Sequence, residues 1–306
     1  MTVDAHIKAP AAERSLREAD EDPERALGSG LSADGIAKQL GISRTALYRF
    51  EKGELAKIET LERLAELLGV SVPTLLGVGV EYIPSAVSYF ERMRQIEESA
   101  QHISVYAGPL SFLLASDEFT TTLQNVLTES ISANAPDRAR ALGDVQKIME
   151  ILRERKSLYQ RRRPTIVNLM SALEIERFLD HGFVGRQELP PDVLAQRKAL
   201  ARAEIEHFAG LIDEQPIGIQ IGIVTDTLPH AGFHIFRQPD RKLLVLSPFR
   251  LGGEPNIRVG VAMITSAPDA IALHEKAVDD MWQRALKGRD AANCLRGLLG
   301  NPRRAR

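Results

Sequence analysis

The stretch 30–53, G-L-S-A-D-G-I-A-K-Q-L-G-I-S-R-T-A-L-Y-R-F-E-K-G, constrains the fold more than any other part of the chain. It holds two short helical patterns separated by a Gly-Ile-Ser turn. Ile36, Ala37 and Leu40 recur at helical spacing, and so do Ala46, Leu47 and Phe50. Ser32 and Ser43 stand where N-caps belong, Gly41 stands where a helix stops, and Ile42 is placed to plug the core that both helices share. With Ala46, Leu47 and Phe50 turned inward, Arg44, Thr45, Tyr48, Arg49 and Lys52 share the outward face of the second helix. Such a face, beginning at a helix N-terminus, has the chemistry of major-groove readout. Arginine forks onto guanine O6 and N7, threonine bonds a base edge or touches a thymine methyl, and lysine with tyrosine holds phosphates.

On charge alone, a solvated helical hairpin explains such a face as well. The net charge of −2 gives no global attraction to nucleic acid, so the DNA reading rests on where charges sit. They are segregated. Residues 1–24 carry seven acids (Asp4, Glu13, Glu18, Asp20, Glu21, Asp22, Glu24) against three bases (Lys8, Arg14, Arg17). Residues 38–57 reverse the balance, with Lys38, Arg44, Arg49, Lys52 and Lys57 against Glu51 and Glu54. The DNA reading is favoured over the solvated hairpin because turn, cap, inward apolar positions and outward basic positions all coincide in one short stretch.

The segment resembles the DNA-binding domain of the XRE, or Cro/repressor-like, family. G-I-S-R-T-A-L-Y-R-F-E-K-G is followed by T-L-E-R-L-A-E-L-L-G-V-S-V-P-T-L-L-G at 60–77, similar to that family's fourth and fifth helices. The resemblance implies a bacterial regulator in which Ser43, Arg44, Thr45, Tyr48 and Arg49 face bases or nearby phosphates and Lys52 faces the backbone. Glu51 and Gly53 match the family's structural E-x-G turn. Two departures are visible: Ala33 stands where the family often carries a phosphate-clamping glutamine, and Gly35 lies inside the first helix of the hairpin.

The expected organisation follows in chain order. Residues 1–24 read as a flexible acidic arm, 25–78 as the helix-turn-helix domain, 79–101 as a connecting helix, 102–288 as a larger domain and 289–306 as a basic tail. Short strands are expected at 102–107 and 165–170, and longer ones at 217–224, 233–237, 243–247 and 257–264. Gln238-Pro239-Asp240 reads as a hairpin turn. Helices are expected over 116–131, 137–160, 171–180, 190–212 and 267–286. The fold class is α+β overall: an all-α, five-helix, lambda-repressor-like N-terminal domain, then a larger α+β domain that senses an effector or dimerises the reader.

The larger domain is similar, in its succession of segments over 96–286, to that of antitoxin-like helix-turn-helix regulators. I-E-E-S-A-Q-H-I-S-V-Y, R-K-S-L-Y-Q-R-R-R-P, E-I-E-H-F-A-G-L-I and L-P-H-A-G-F carry that resemblance.

No motif marks an enzyme, a metal site or a cofactor site. His274-Glu275-Lys276 has the H-x-K spacing of phospholipase D-like enzymes without an aspartate at Met281, and reads as a solvated helix face. His230 and His234 lack a carboxylate at ligand spacing. Lys147, Arg153, Arg155, Lys156, Arg161, Arg162 and Arg163 form one basic cluster and residues 302–306 another, each either a phosphate or anionic-effector contact or an ordinary solvated surface. Cys294 is the sole cysteine, so no intrachain disulfide forms. Without a membrane span or an apolar leader pattern, a cytoplasmic protein is expected, its partners double-stranded DNA, a second copy of itself and a small-molecule or protein effector. Two alternatives remain at this level: an enzyme or small-molecule receptor tethered by the N-terminal helices, and an antitoxin-like protein-interaction module.

Overall fold

The computed structural model describes residues 33–43, 45, 58–67, 79–106, 108–186, 188–226 and 232–300. The chain divides into two compact units, 1–82 with 264–268, and 83–263 with 269–306. In the first, helix α1 spans Ala33–Leu40 and α2 spans Ile58–Leu67. The two helices pack together, with Ala37, Leu40 and Leu64 buried. The arm expected at 1–24 and most of the second helix expected for the hairpin lie outside the described residues.

In the larger unit, Ser85 caps α3 (Ala86–Glu98), and Ser116 caps α4 (Asp117–Glu129) by accepting from Phe119 N at 3.1 Å. Helix α5 (Arg138–Arg162) ends on Arg163 in the left-handed region. Helix α6 (Ala172–His181) is capped by Ser171, and α7 (Pro191–Glu214), α8 (Pro268–Arg284) and α9 (Gly288–Leu299) complete the described helices.

Strands β1 (Val80–Ile83), β2 (His102–Tyr106), β3 (Thr165–Ser171), β4 (Ile219–Val224), β5 (Phe233–Arg237), β6 (Lys242–Leu246) and β7 (Ala262–Thr265) form one mixed sheet. Its order is β1-β7-β6-β5-β2-β3-β4. The β2-β3-β4 end is parallel, with Tyr106 opposite Leu169 and Ser171 opposite Val224, while β5 runs antiparallel to β2. Strands β5 and β6 form the expected hairpin, antiparallel with Phe233 opposite Leu246. One face carries Tyr106, Leu169, Val224, Phe233, Ile235 and Leu244 into a core with Ile271, Val278 and Met281 of α8. The alternate residues Ile103, Val105, Ile166, Met170, Ile223, Phe236 and Val245 are buried too, so the strands read as nearly continuous apolar runs.

Three expectations are corrected. The connecting segment 79–101 holds its helix at α3, where the pattern after Pro84 places it, but β1 precedes that helix, and α3 buries Tyr89, Phe90, Met93 and Ile96 as part of the larger unit's core instead of merely connecting. The strand expected at 257–264 begins only at Ala262. Gly260 sits at φ +131 against the Pro248 ring, and the Asn256 side chain bonds Pro248 O and Val259 O, which holds 256–260 as a loop. Finally, 289–306 is not a tail from its start: α9 reaches Leu299, buries Ala291, Ala292 and Leu295, and packs on α7, while residues 301–306 lie outside the described residues.

Candidate functional site

The hairpin's turn is built by backbone geometry. Gly41 adopts φ +66, a region that side chains with a Cβ rarely enter. Ile42 N donates to Ala37 O at 3.1 Å and Gly41 N to Lys38 O at 3.3 Å, the paired bonds of a Schellman motif. The α1 carbonyls are thereby satisfied and the chain turns sharply with Ile42 half-buried. Arg63 of α2 adds a bond from Nη2 to Gln39 O at 3.3 Å. Beyond the turn, Ser43 is exposed, and Thr45 is helical and exposed. These two of the six expected DNA-facing residues therefore lie on the surface directly after the turn, while Arg44, Tyr48, Arg49 and Lys52 lie outside the described residues.

Residues 14–76 match a family whose description is a helix-turn-helix domain. The N-terminal unit carries a helix-turn-helix domain. The matched stretch includes the Gly41 turn, Ser43 and Thr45. Comparison with curated proteins gives no match. Among solved structures, that of TrmBL2, an archaeal chromatin protein described as showing a novel mode of DNA binding, aligns at 16% identity over 87% of this chain and 72% of its own, with a TM-score of 0.30.

The larger unit holds a second candidate site, a cavity of about 340 Å³ at the carboxyl end of β2. Aromatic side chains from α3 (Tyr89, Phe90), α4 (Phe119) and the segments 108–112 and 247–252 (Phe112, Phe249) form much of its wall, and Tyr106, Arg155, Glu174 and His234 supply its polar groups. In open α/β sheets, ligands gather at the carboxyl ends of parallel strands. The Glu174 carboxylate packs directly on Gly108, where a Cβ would fall 1.5 Å from Oε2.

The charges of this cavity are largely committed. Arg155, expected as part of a basic surface cluster, is instead buried and forks onto Glu97, Nε to Oε2 at 2.9 Å and Nη2 to Oε1 at 2.6 Å. Its guanidinium also lies 5.7 Å and 5.8 Å from the Phe90 and Phe112 ring centres. Burial alone would lower its pKa, and the Glu97 charge and hydrogen bonds reverse that, leaving it raised. Lys156, its neighbour in the cluster, bonds Ser116 O, Asp117 and Thr120, tying α5 to the start of α4.

Burial, aided by the Arg155 charge, lowers the His234 pKa from 6.5 to about 3, so the ring that lines the cavity stays neutral. Its folded pKa lies below the unfolded one, so the unfolded chain binds protons first as pH falls. Stability assisted by His234 is complete above about pH 6.5 and declines toward pH 3; His234→Gln is expected to flatten that decline in denaturant midpoints measured against pH.

His274 differs from a solvated residue. It is half-buried, its Nδ1 lies 2.8 Å from Ala270 O, and its ring stands edge-on to Phe233. Glu275 pairs with Lys242 at 2.6 Å. His230 lies outside the described residues. No helix of the described residues is long and apolar enough to cross a membrane.

Proposed function

We propose that this chain is a sequence-specific, DNA-binding transcriptional regulator of the XRE, or Cro/repressor-like, kind, working in the bacterial cytoplasm as a homodimer. The observation that carries this reading is the helix-turn-helix match over 14–76, supported by the Gly41 turn that delivers Ser43 and Thr45 to the surface. Ser43, Arg44, Thr45, Tyr48 and Arg49 read bases or neighbouring phosphates, and Lys52 holds the backbone. Two copies on a roughly palindromic site multiply the specificity of a small reader. The larger unit serves regulation rather than catalysis, as a dimerisation and effector-sensing domain, and its aromatic-lined cavity supports the sensing role.

Arg44→Ala and Arg49→Ala are each expected to weaken binding to the cognate duplex by about 1–3 kcal/mol and to relax base preference at one position. Lys52→Ala is expected to weaken all sequences alike. Titration of labelled cognate and scrambled duplexes at one fixed salt concentration separates these effects. Equal, sequence-blind losses at both arginines would overturn the base-reading role.

A further inference from the structure

We propose that the cavity at the end of β2 binds a non-anionic, ring-bearing small molecule that carries a hydroxyl group, an alcohol or a phenol, with the hydroxyl held between Tyr106 and Glu174. This names the effector class of the sensing domain and rests on the regulator reading for its biological meaning, though not for its geometry.

Size and walls set the body of the ligand. A volume of about 340 Å³ lies at the small end of ligand cavities, on the order of ten water volumes. The rings of Tyr89 and Phe249 stand 5.5 Å apart and those of Tyr89 and Phe90 5.0 Å apart, a surface suited to a flat or alicyclic ring.

Electrostatics disfavours an anion. Two nitrogens of the Arg155 guanidinium are spent on Glu97 and His234 is neutral, while Arg250, the other cation of the lining, is turned to Glu254, its Nε donating to the backbone oxygen at 2.7 Å, so the buried wall offers an anion little to pair with.

Two polar atoms then define the head group. The Tyr106 hydroxyl, on a residue 1% exposed, has no hydrogen-bond partner among the described residues, and neither has Glu174 Oε2. Buried polar atoms left unpaired are unfavourable. Burial raises the pKa of each group, and the Glu174 charge raises that of Tyr106 further. The phenol is therefore a donor near a carboxyl acceptor, and the two do not bond each other. A hydroxyl complements both at once, since it accepts from Tyr106 and donates to Glu174. Both oxygens are screened from water, so seating the hydroxyl takes a small rotation of the Glu174 side chain away from Gly108.

Fluorescence titration of the full-length protein, without DNA, tests this with 2-naphthol, naphthalene and 2-naphthoate. 2-Naphthol is expected to bind at least about tenfold more tightly than naphthalene, the weight of one hydrogen bond to a charged acceptor, and 2-naphthoate is expected to bind most weakly. Tyr106→Phe is expected to bring 2-naphthol down to the naphthalene level while leaving naphthalene unchanged, which also shows that the variant cavity is folded. Equal binding of 2-naphthol and naphthalene, an undiminished preference in Tyr106→Phe, or no 2-naphthol binding up to its solubility limit would overturn the proposal. With no DNA in the cell, those failures leave the DNA-binding reading standing, and a failure to bind DNA leaves this result untouched.

Discussion

Glu97→Ala is expected to destabilise the larger unit by about 3–5 kcal/mol, because it leaves the Arg155 guanidinium charged and unpaired in the interior. Glu97 and Arg155 side chains are each 5% exposed, and their two hydrogen bonds join α3 to α5 across 58 residues of sequence. Desolvation of an uncompensated arginine outweighs any relief from shortening the acid. Replacing both groups, as Glu97→Leu with Arg155→Met, removes the two charges together and is expected to recover most of the loss. The quantity to measure is the denaturant midpoint of the single and double variants at unchanged slope. A single-variant loss below about 1 kcal/mol would show that the pair is not desolvated as described.

Leu64→Ala is expected to be the most damaging single change in the smaller unit. Leu64 is 2% exposed on α2, and truncation of a buried leucine costs about 2–5 kcal/mol through lost transfer energy and the cavity left behind. A helical unit of this size commonly holds only about 3–5 kcal/mol in total. The variant is therefore expected to lose most of its helix-turn-helix structure at 37 °C, with a fall in helical circular dichroism and a greater than tenfold loss in duplex affinity. Wild-type affinity in Leu64→Ala would show that α2 does not support the reader.

Much of the fold was legible because its signals are local. The Gly41-Ile42-Ser43 turn and the Gln238-Pro239-Asp240 hairpin each depend on a few adjacent residues. Helix α9 was missed because its buried face is made largely of small residues, Ala291 and Ala292 beside Leu295, between exposed Arg289, Asp290 and Arg296. Strand β1, V-E-Y-I, is too short to show alternation. The end of the predicted 257–264 strand survived and its beginning did not, since the Asn256 bonds and the Gly260–Pro248 approach arise from the folded loop.

The cavity was not legible at all. Tyr106, Arg155 and Glu174 are scattered over three elements and form no motif, and the cluster containing Arg155 reads as surface until Glu97 is found beside it. For the reader domain, the sequence supplies the basic face and the structure supplies the turn before it, Ser43 and Thr45 being the described members of the expected set.

The central claim is that the segment beginning at Ser43 reads duplex sequence, and selection from a pool of random duplexes by the full-length protein tests it most directly. At near-physiological salt, the account predicts enrichment of an inverted repeat with half-site centres about 10 base pairs or a multiple apart, lost when Arg44 and Arg49 are both alanine. A pool that stays random after repeated rounds, or the same motif enriched by the double variant, would contradict it.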